Sequence, residues 1–220
     1  GGAVNLRGDA TVTGSVDVVL GDNCKVVDFD SYGDLGMGNF IGGGYVYYKV
    51  DGNLLPQDEP EAIADVLGNV TAVFGNNSKF GRWFVGGGYT GSGTINAQAN
   101  IKGNFTNTFN GNVTVTNYFI GKGYATGESA TAEVGTKGNS NVISTYFNGN
   151  GASSISTGSS LMYCSGYSSA SNSANINGTV NLVFDGSIPT KTVVGGGYSI
   201  TGESNIDGNL NVVLKISQLL

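Results

Sequence analysis

The phrase Gly-Gly-Gly-Tyr, led in by two apolar residues, stands at 42–45, 86–89 and 195–198. Looser copies stand at 121–124 (Gly-Lys-Gly-Tyr) and 164–167 (Cys-Ser-Gly-Tyr). A phrase that returns this often marks an internal repeat, and repeats fold by stacking like units on one another. Counted between triplet starts from residue 1, the units are 41, 44, 35, 43 and 31 residues long. Length therefore varies by insertion while the phrase keeps its place.

Most units share a tail, a glycine, then a small polar residue, then apolar residues at every second position. Gly14 leads to Val16, Val18 and Leu20; Gly68 to Val70, Ala72 and Phe74; Gly178 to Val180, Leu182 and Phe184; Gly208 to Leu210, Val212 and Leu214. A period of two is a strand with one buried face. One such strand cannot bury its own apolar side. Equivalent strands stacked in parallel align those positions into a ladder and satisfy the backbone groups between units.

The shortest unit has room for three strands joined by short turns. One is the segment entering the triplet (Phe84-Val85-Gly86), one follows the tyrosine (Ser199 to Ile206), and the third is the tail. The expected fold is all-β, a right-handed parallel β-helix with three strands per rung, because left-handed solenoids keep a strict hexapeptide beat that these units lack. A β-sandwich or up-and-down barrel is the alternative for short strands with glycine turns. The segment 56–68 breaks the pattern: Asp58 is a candidate N-cap, acids crowd the first turn, and Gly68 can end a helix. A short helical insertion is expected there.

The whole of 1–220 reads as one solenoid domain. Residues 1–20 align without a gap to 195–214, so the chain opens inside a unit, as expected for a fragment of a longer repeat protein. Thirty-eight glycines, three prolines and 12% charged residues fit neither collagen nor charge-rich disorder. A net charge of -6 without a Lys/Arg cluster along the sequence argues against nucleic acid and anionic membrane as partners. No apolar run is long enough for direct membrane insertion. Cys24 and Cys164 belong to distant units, beyond bridging distance, and are expected as free thiols.

Candidate chemistry is sparse. The glycine triplets resemble anion cradles, but recurrence in unit after unit points to architecture, a tight corner that also lets a bulky side chain from an adjacent layer sit close. Tyr45, Tyr89, Tyr124, Tyr167 and Tyr198 should stack into a ladder along the axis. Alternation puts Tyr45 on the face of Ile41 and Tyr198 on that of Val194, which favours packing; a ladder facing outward would suit sugar rings. Asp28, Asp30 and Asp34, preceded by Asp22, are spaced like part of a calcium loop but lack its later glutamate. Calcium is the one cofactor they suggest.

An enzyme acting on polysaccharide would need paired carboxylates, or an acidic metal site with a base, in one groove. Asp28, Asp30, Asp34, Asp51, Glu59, Glu61 and Asp65, with Arg7, Arg82 or Lys49, are the available groups, and none has a recognisable spacing. Absence of histidine removes Ser/His and Cys/His nucleophile systems. Cys164 stands in a repeat-glycine position without a local base and reads as a small buried apolar group. The sequons at Asn69, Asn104, Asn112 and Asn177 follow from a repeat rich in Asn and Thr.

The stretches Phe84-Val85-Gly86-Gly87-Gly88-Tyr89-Thr90-Gly91 and Gly195-Gly196-Gly197-Tyr198-Ser199-Ile200-Thr201-Gly202 running to Val212 resemble repeats of large adhesin-like surface proteins of bacteria. That resemblance covers nearly the whole chain and carries no catalytic residues. It implies a non-catalytic, extracellular, cell-surface segment, a rigid spacer or an adhesive face toward glycans or host surface proteins.

Overall fold

The computed structural model describes residues 2, 4–5, 10–26, 38–46, 62–91, 96–148, 155–157, 161–169, 171–186 and 192–215. They form an all-β parallel solenoid in which each strand pairs with its equivalent one repeat away. The long column consists of Val16–Leu20, Val70–Phe74, Phe105–Asn110, Val142–Asn148, Thr179–Asp185 and Leu210–Lys215, in that order and in parallel register. These are the tails. Register puts their alternate residues in line: Val70 beside Phe105, Ile143 and Val180, and Phe74 beside Phe109, Phe147 and Phe184.

Those aligned side chains are the core. Phe74, Phe109, Phe147 and Phe184 stack at 4.8, 5.1 and 4.9 Å between ring centroids. Phe40, Phe84 and Phe119 form a second stack at 5.1 and 4.9 Å, contributed by the entry strands. Parallel strands repeat about every 4.8 Å, a spacing that also suits offset ring contact. The same residue type in successive rungs therefore packs against itself.

Each rung is divided more finely than three strands. In the rungs whose long strands are Val70–Phe74, Phe105–Asn110 and Val142–Asn148, a short strand follows (Ser78–Phe80, Val113–Val115 and Ile155–Thr157), then the entry strand, then a two-residue tyrosine strand (Tyr89–Thr90, Tyr124–Ala125 and Tyr167–Ser168). Between tyrosine and long strand runs a segment tied to its neighbours by single parallel bridges, such as Gln98 to Thr131 and Ile101 to Val134. A three-residue strand carries too little alternation to be seen in sequence. The helix expected over 56–68 is not present across 62–68: Ile63 and Val66 form parallel bridges to Gln98 and Ile101. Neighbouring backbone supplies the hydrogen bonds that a helix would have made internally. Residues 56–61 lie outside the described residues.

The glycine triplets explain the corners, though what comes close is backbone rather than a bulky side chain. A methyl on Gly44 would lie 1.5 Å from the carbonyl oxygen of Ala64. The corresponding distances are 1.6 Å for Gly88 and Ala99, 1.5 Å for Gly123 and Ala132, 1.9 Å for Gly166 and Ala174, and 1.5 Å for Gly197 and Ser204. The rung is pinched there until no β-carbon fits. Small residues on the facing segment, Ala64, Ala99, Ala132 and Ala174, are fully buried against the pinch.

Asn and Asp side chains tie rung to rung. Asn69 Oδ1 accepts from the Asn104 amide at 2.8 Å, and Asn104 Oδ1 accepts from the Val142 amide at 2.9 Å. Asp65, Asn100 and Glu133 continue the pattern in another column, with Oδ1 of each of the first two accepting from the backbone amide of the next. Corner amides that miss the β ladder are satisfied this way.

Candidate functional site

The five repeat tyrosines form one continuous column, 5.4 Å from Tyr45 to Tyr89, 5.1 Å to Tyr124, 4.9 Å to Tyr167 and 5.3 Å to Tyr198. Entry-strand alternation places the column. Phe84 points into the main core, and Val85 joins Tyr89, Ile120 and Tyr163 in a separate cluster against which Ile41, Tyr45, Trp83, Tyr124, Tyr167 and Val194 pack. The residues after four of the five tyrosines, Val46, Thr90, Ala125 and Ser168, are fully buried, and Ser199 in the last rung is exposed. The tyrosines thus share the face of Ile41 and Val194, in a cluster separate from the main core in which Val85, Ile120, Tyr163 and Tyr89 are buried.

Because the rings contact one another along the axis, neighbours occupy much of their faces. Tyr198 is 37% exposed, and Tyr118, on the same side, is 38% exposed. Desolvation and neighbouring tyrosines push the Tyr124 hydroxyl well above its ordinary value, and the same causes raise Tyr163 to about 12. The seam is uncharged at neutral pH.

Trp83, half-buried, widens the seam. Its ring meets Tyr89 and Tyr124 edge-on at 5.9 Å and Tyr118 at 6.3 Å, and the Arg82 guanidinium lies 4.9 Å above it. The indole Nε1–H is buried without an acceptor.

No family model, curated protein or solved structure matches this chain.

A second surface feature is an open groove of about 540 Å³ across three rungs, lined by Ser129, Thr131, Ser171, Asn172, Ser173, Thr201 and Glu203 among others. Beside it, Asn175 Nδ2 donates at 3.3 Å both to Glu133 Oε1 and to Glu203 Oε2, and Ser173 Oγ donates to Glu133. Two carboxylates from different rungs are thus held on one amide. Neither was among the acids singled out from sequence; the repeated Gly-Glu-Ser phrases at 127–129 and 202–204 are the only signal for that region.

Other candidates from sequence fall elsewhere. Asp28, Asp30 and Asp34 lie outside the described residues, as do Asp51, Glu59, Glu61, Arg7 and Lys49. Asp65 is nearly buried and pairs with Lys102 at 3.4 Å, a tie between rungs. Among the described residues no three acidic or cysteine side chains are grouped to hold a metal ion. Cys24 and Cys164 are both free thiols. Cys164 is fully buried, and burial pushes its thiol up to about 12, the opposite of what a nucleophile needs.

Sequence reasoning also missed Lys122. It takes the middle place of a triplet, where Gly43, Gly87 and Gly196 stand elsewhere, and it is fully buried. Its Nζ donates to Thr145 Oγ1 and lies 4.8 Å from the centre of the Phe105 ring. Desolvation lowers the amine to about 7. Nearby on the inner face of the long column, both polar atoms of the Asn107 amide are buried without a partner.

Proposed function

We propose that the chain is a non-catalytic, extracellular repeat domain of the bacterial cell surface, acting as a rigid adhesin-like stalk with a glycan-binding side. The observation that carries this reading is the tyrosine column, five rungs long and separate from the main core, on a backbone whose columns run in register. A parallel stack joined by main-chain bonds and Asn ladders resists bending, as a spacer must. An apolar, uncharged strip with hydroxyl edges suits sugar rings, which offer both CH faces and OH groups. Host surface proteins are the other proposed partner, and calcium enters through Asp28, Asp30 and Asp34.

One observation favours a second reading, a polysaccharide-active enzyme. Glu203 lines an open groove and shares Asn175 with Glu133, so the two carboxylates' bonded oxygens are separated by no more than the two 3.3 Å bonds laid end to end. Paired carboxylates are what hydrolysis of a glycosidic bond requires.

A broad glycan array, with and without calcium, separates the two readings when the same polysaccharides are assayed for chain cleavage. The stalk reading predicts binding without cleavage. Cleavage abolished by Glu133→Gln or Glu203→Gln would overturn it.

A further inference from the structure

We infer that Lys122 and Asn107 are the two halves of an intramolecular amide crosslink, formed when the Lys122 amine displaces ammonia from the Asn107 side chain. Such a bond fastens two rungs together from within, whatever the surface binds.

Three departures from the repeat meet in one place. The inner line of the long column runs Val18, Ala72, Asn107, Thr145, Leu182 and Val212 in register, so polar side chains interrupt these six at two neighbouring rungs. Lys122, in the place of a triplet glycine, is the third departure. All three residues are fully buried, and a buried polar group costs stability unless it is paired. A core that breaks its own pattern in this way marks a functional or strained site.

Contacts set the amine beside the carboxamide. Lys122 Nζ donates to Thr145 Oγ1, and Thr145 is the register partner of Asn107. The same Nζ lies 4.8 Å from the centre of the Phe105 ring, and Phe105 stands two residues before Asn107 on the same buried face of its strand. The carboxamide reaches the corner below Lys122: a methyl on Gly86 would meet Asn107 Nδ2 at 2.3 Å, and the next residue, Gly87, donates its amide to the Lys122 carbonyl at 3.0 Å. Nζ is thus bounded across the sheet by the partner of Asn107 and along the strand by its neighbour. Neither polar atom of the carboxamide has a hydrogen-bond partner, so no bond has to break before it turns toward Nζ.

Desolvation lowers the amine to about 7, which leaves its lone pair free at mildly alkaline pH, and a desolvated lysine is an activated nucleophile. Nζ attacks Asn107 Cγ, one proton passes from Nζ through the Thr145 hydroxyl to Nδ2, the Cγ–Nδ2 bond breaks and ammonia leaves. The product is a neutral secondary amide, and neither an oxidant nor a metal is consumed. It clears the unpartnered Nδ2 and the titrating amine from the core in one step. Fixed proximity replaces a bimolecular encounter. A carboxamide is a weak electrophile, so joining follows folding slowly and newly folded chains keep the free amine.

Intact-mass spectrometry of the folded chain, followed over a week at mildly alkaline pH, tests the bond. A mass lower by one ammonia, growing with time at a rate independent of protein concentration, supports it, with tandem spectra showing Asn107 and Lys122 joined in one branched peptide. Lys122→Met and Asn107→Leu should each abolish the loss. Thr145→Val should slow it about a hundredfold, the low end for a positioned proton carrier, with a melting curve confirming its fold. Ammonia loss that persists in Lys122→Met assigns it to a succinimide at an Asn-Gly step such as Asn110-Gly111 and overturns the crosslink. An unchanged mass in a wild-type chain that melts cooperatively overturns it as well.

Discussion

Gly88 and Ala99 meet backbone to backbone within one rung, so closely that a methyl on Gly88 would lie 1.6 Å from the Ala99 carbonyl oxygen. The same contact recurs at every described triplet and sets the width of the solenoid. Gly88→Ala should cost about 3 kcal/mol or more, the upper range for overpacking, since the obstacle is backbone that cannot rotate away. Chemical denaturation measures it; stability within 0.5 kcal/mol of wild type would contradict the pinch.

Leu182 lies in the inner line of the long column between Thr145 and Val212 and is fully buried. Leu182→Asp puts an unpaired carboxylate into the core and should abolish cooperative folding. A variant that melts cooperatively at the wild-type temperature would show that this strand faces the other way.

Lys122 has a folded pKa of about 7 against an ordinary 10.5, a depression caused by desolvation. Above about 7 the unfolded chain holds a proton that the folded chain does not, so stability rises with pH up to about 10.5; it is lost as pH falls toward 7 and is flat below. Between pH 7 and 9 the gain should be about 1.4 kcal/mol per unit. Lys122→Met should be more stable at pH 7 and lose this slope. Urea unfolding at pH 7, 8 and 9 reads both quantities, and parallel curves for the two proteins would refute the assignment.

The seam acts in the opposite direction. Tyr124, Tyr163 and Tyr167 have hydroxyls raised above the ordinary 10 by desolvation and by neighbouring tyrosines, Tyr118 among them. Their contribution is intact below 10 and is lost as pH rises through the folded values. Tyrosinate absorbance should show part of the eleven tyrosines ionising late and together with unfolding. A single titration near 10 with the fold retained would mean the seam is open to water.

Asn104 joins three rungs, its amide donating to Asn69 and its side chain accepting from Val142. Asn104→Ala should cost about 1 kcal/mol, one net hydrogen bond, while Asn104→Asp keeps the acceptor and should cost less. Equal losses in the two variants, measured by denaturant unfolding, would assign the effect to something other than this bond.

The repeat made the solenoid legible in sequence because a phrase such as Phe-Val-Gly-Gly-Gly-Tyr fixes both strand and corner in every rung. The tails were legible for the same reason, their alternation running over five or more residues. Short strands such as Ser78–Phe80 were not, since three residues carry no period. The segment around Ile63 and Val66 misled because its local acid-then-apolar pattern fits a helix, and neighbouring rungs supplied bridges that local propensity could not foresee. Of the surface, the tyrosine column was legible from the phrase itself. The Lys25–Lys79 pair and the Glu133–Asn175–Glu203 link were not, because each joins residues from different repeats at positions where the repeat is not conserved in type.

Register is therefore the claim on which fold and site both depend. In a Cys24→Ser background, Lys25→Cys with Lys79→Cys should oxidise readily to an intrachain disulfide, since the two positions are adjacent partners and lie within the alpha-carbon limit for a bridge. Lys25→Cys with Thr114→Cys, two rungs apart through Lys79, should not. Crosslinking of the second pair, or of neither, would mean that the repeats do not stack in this register.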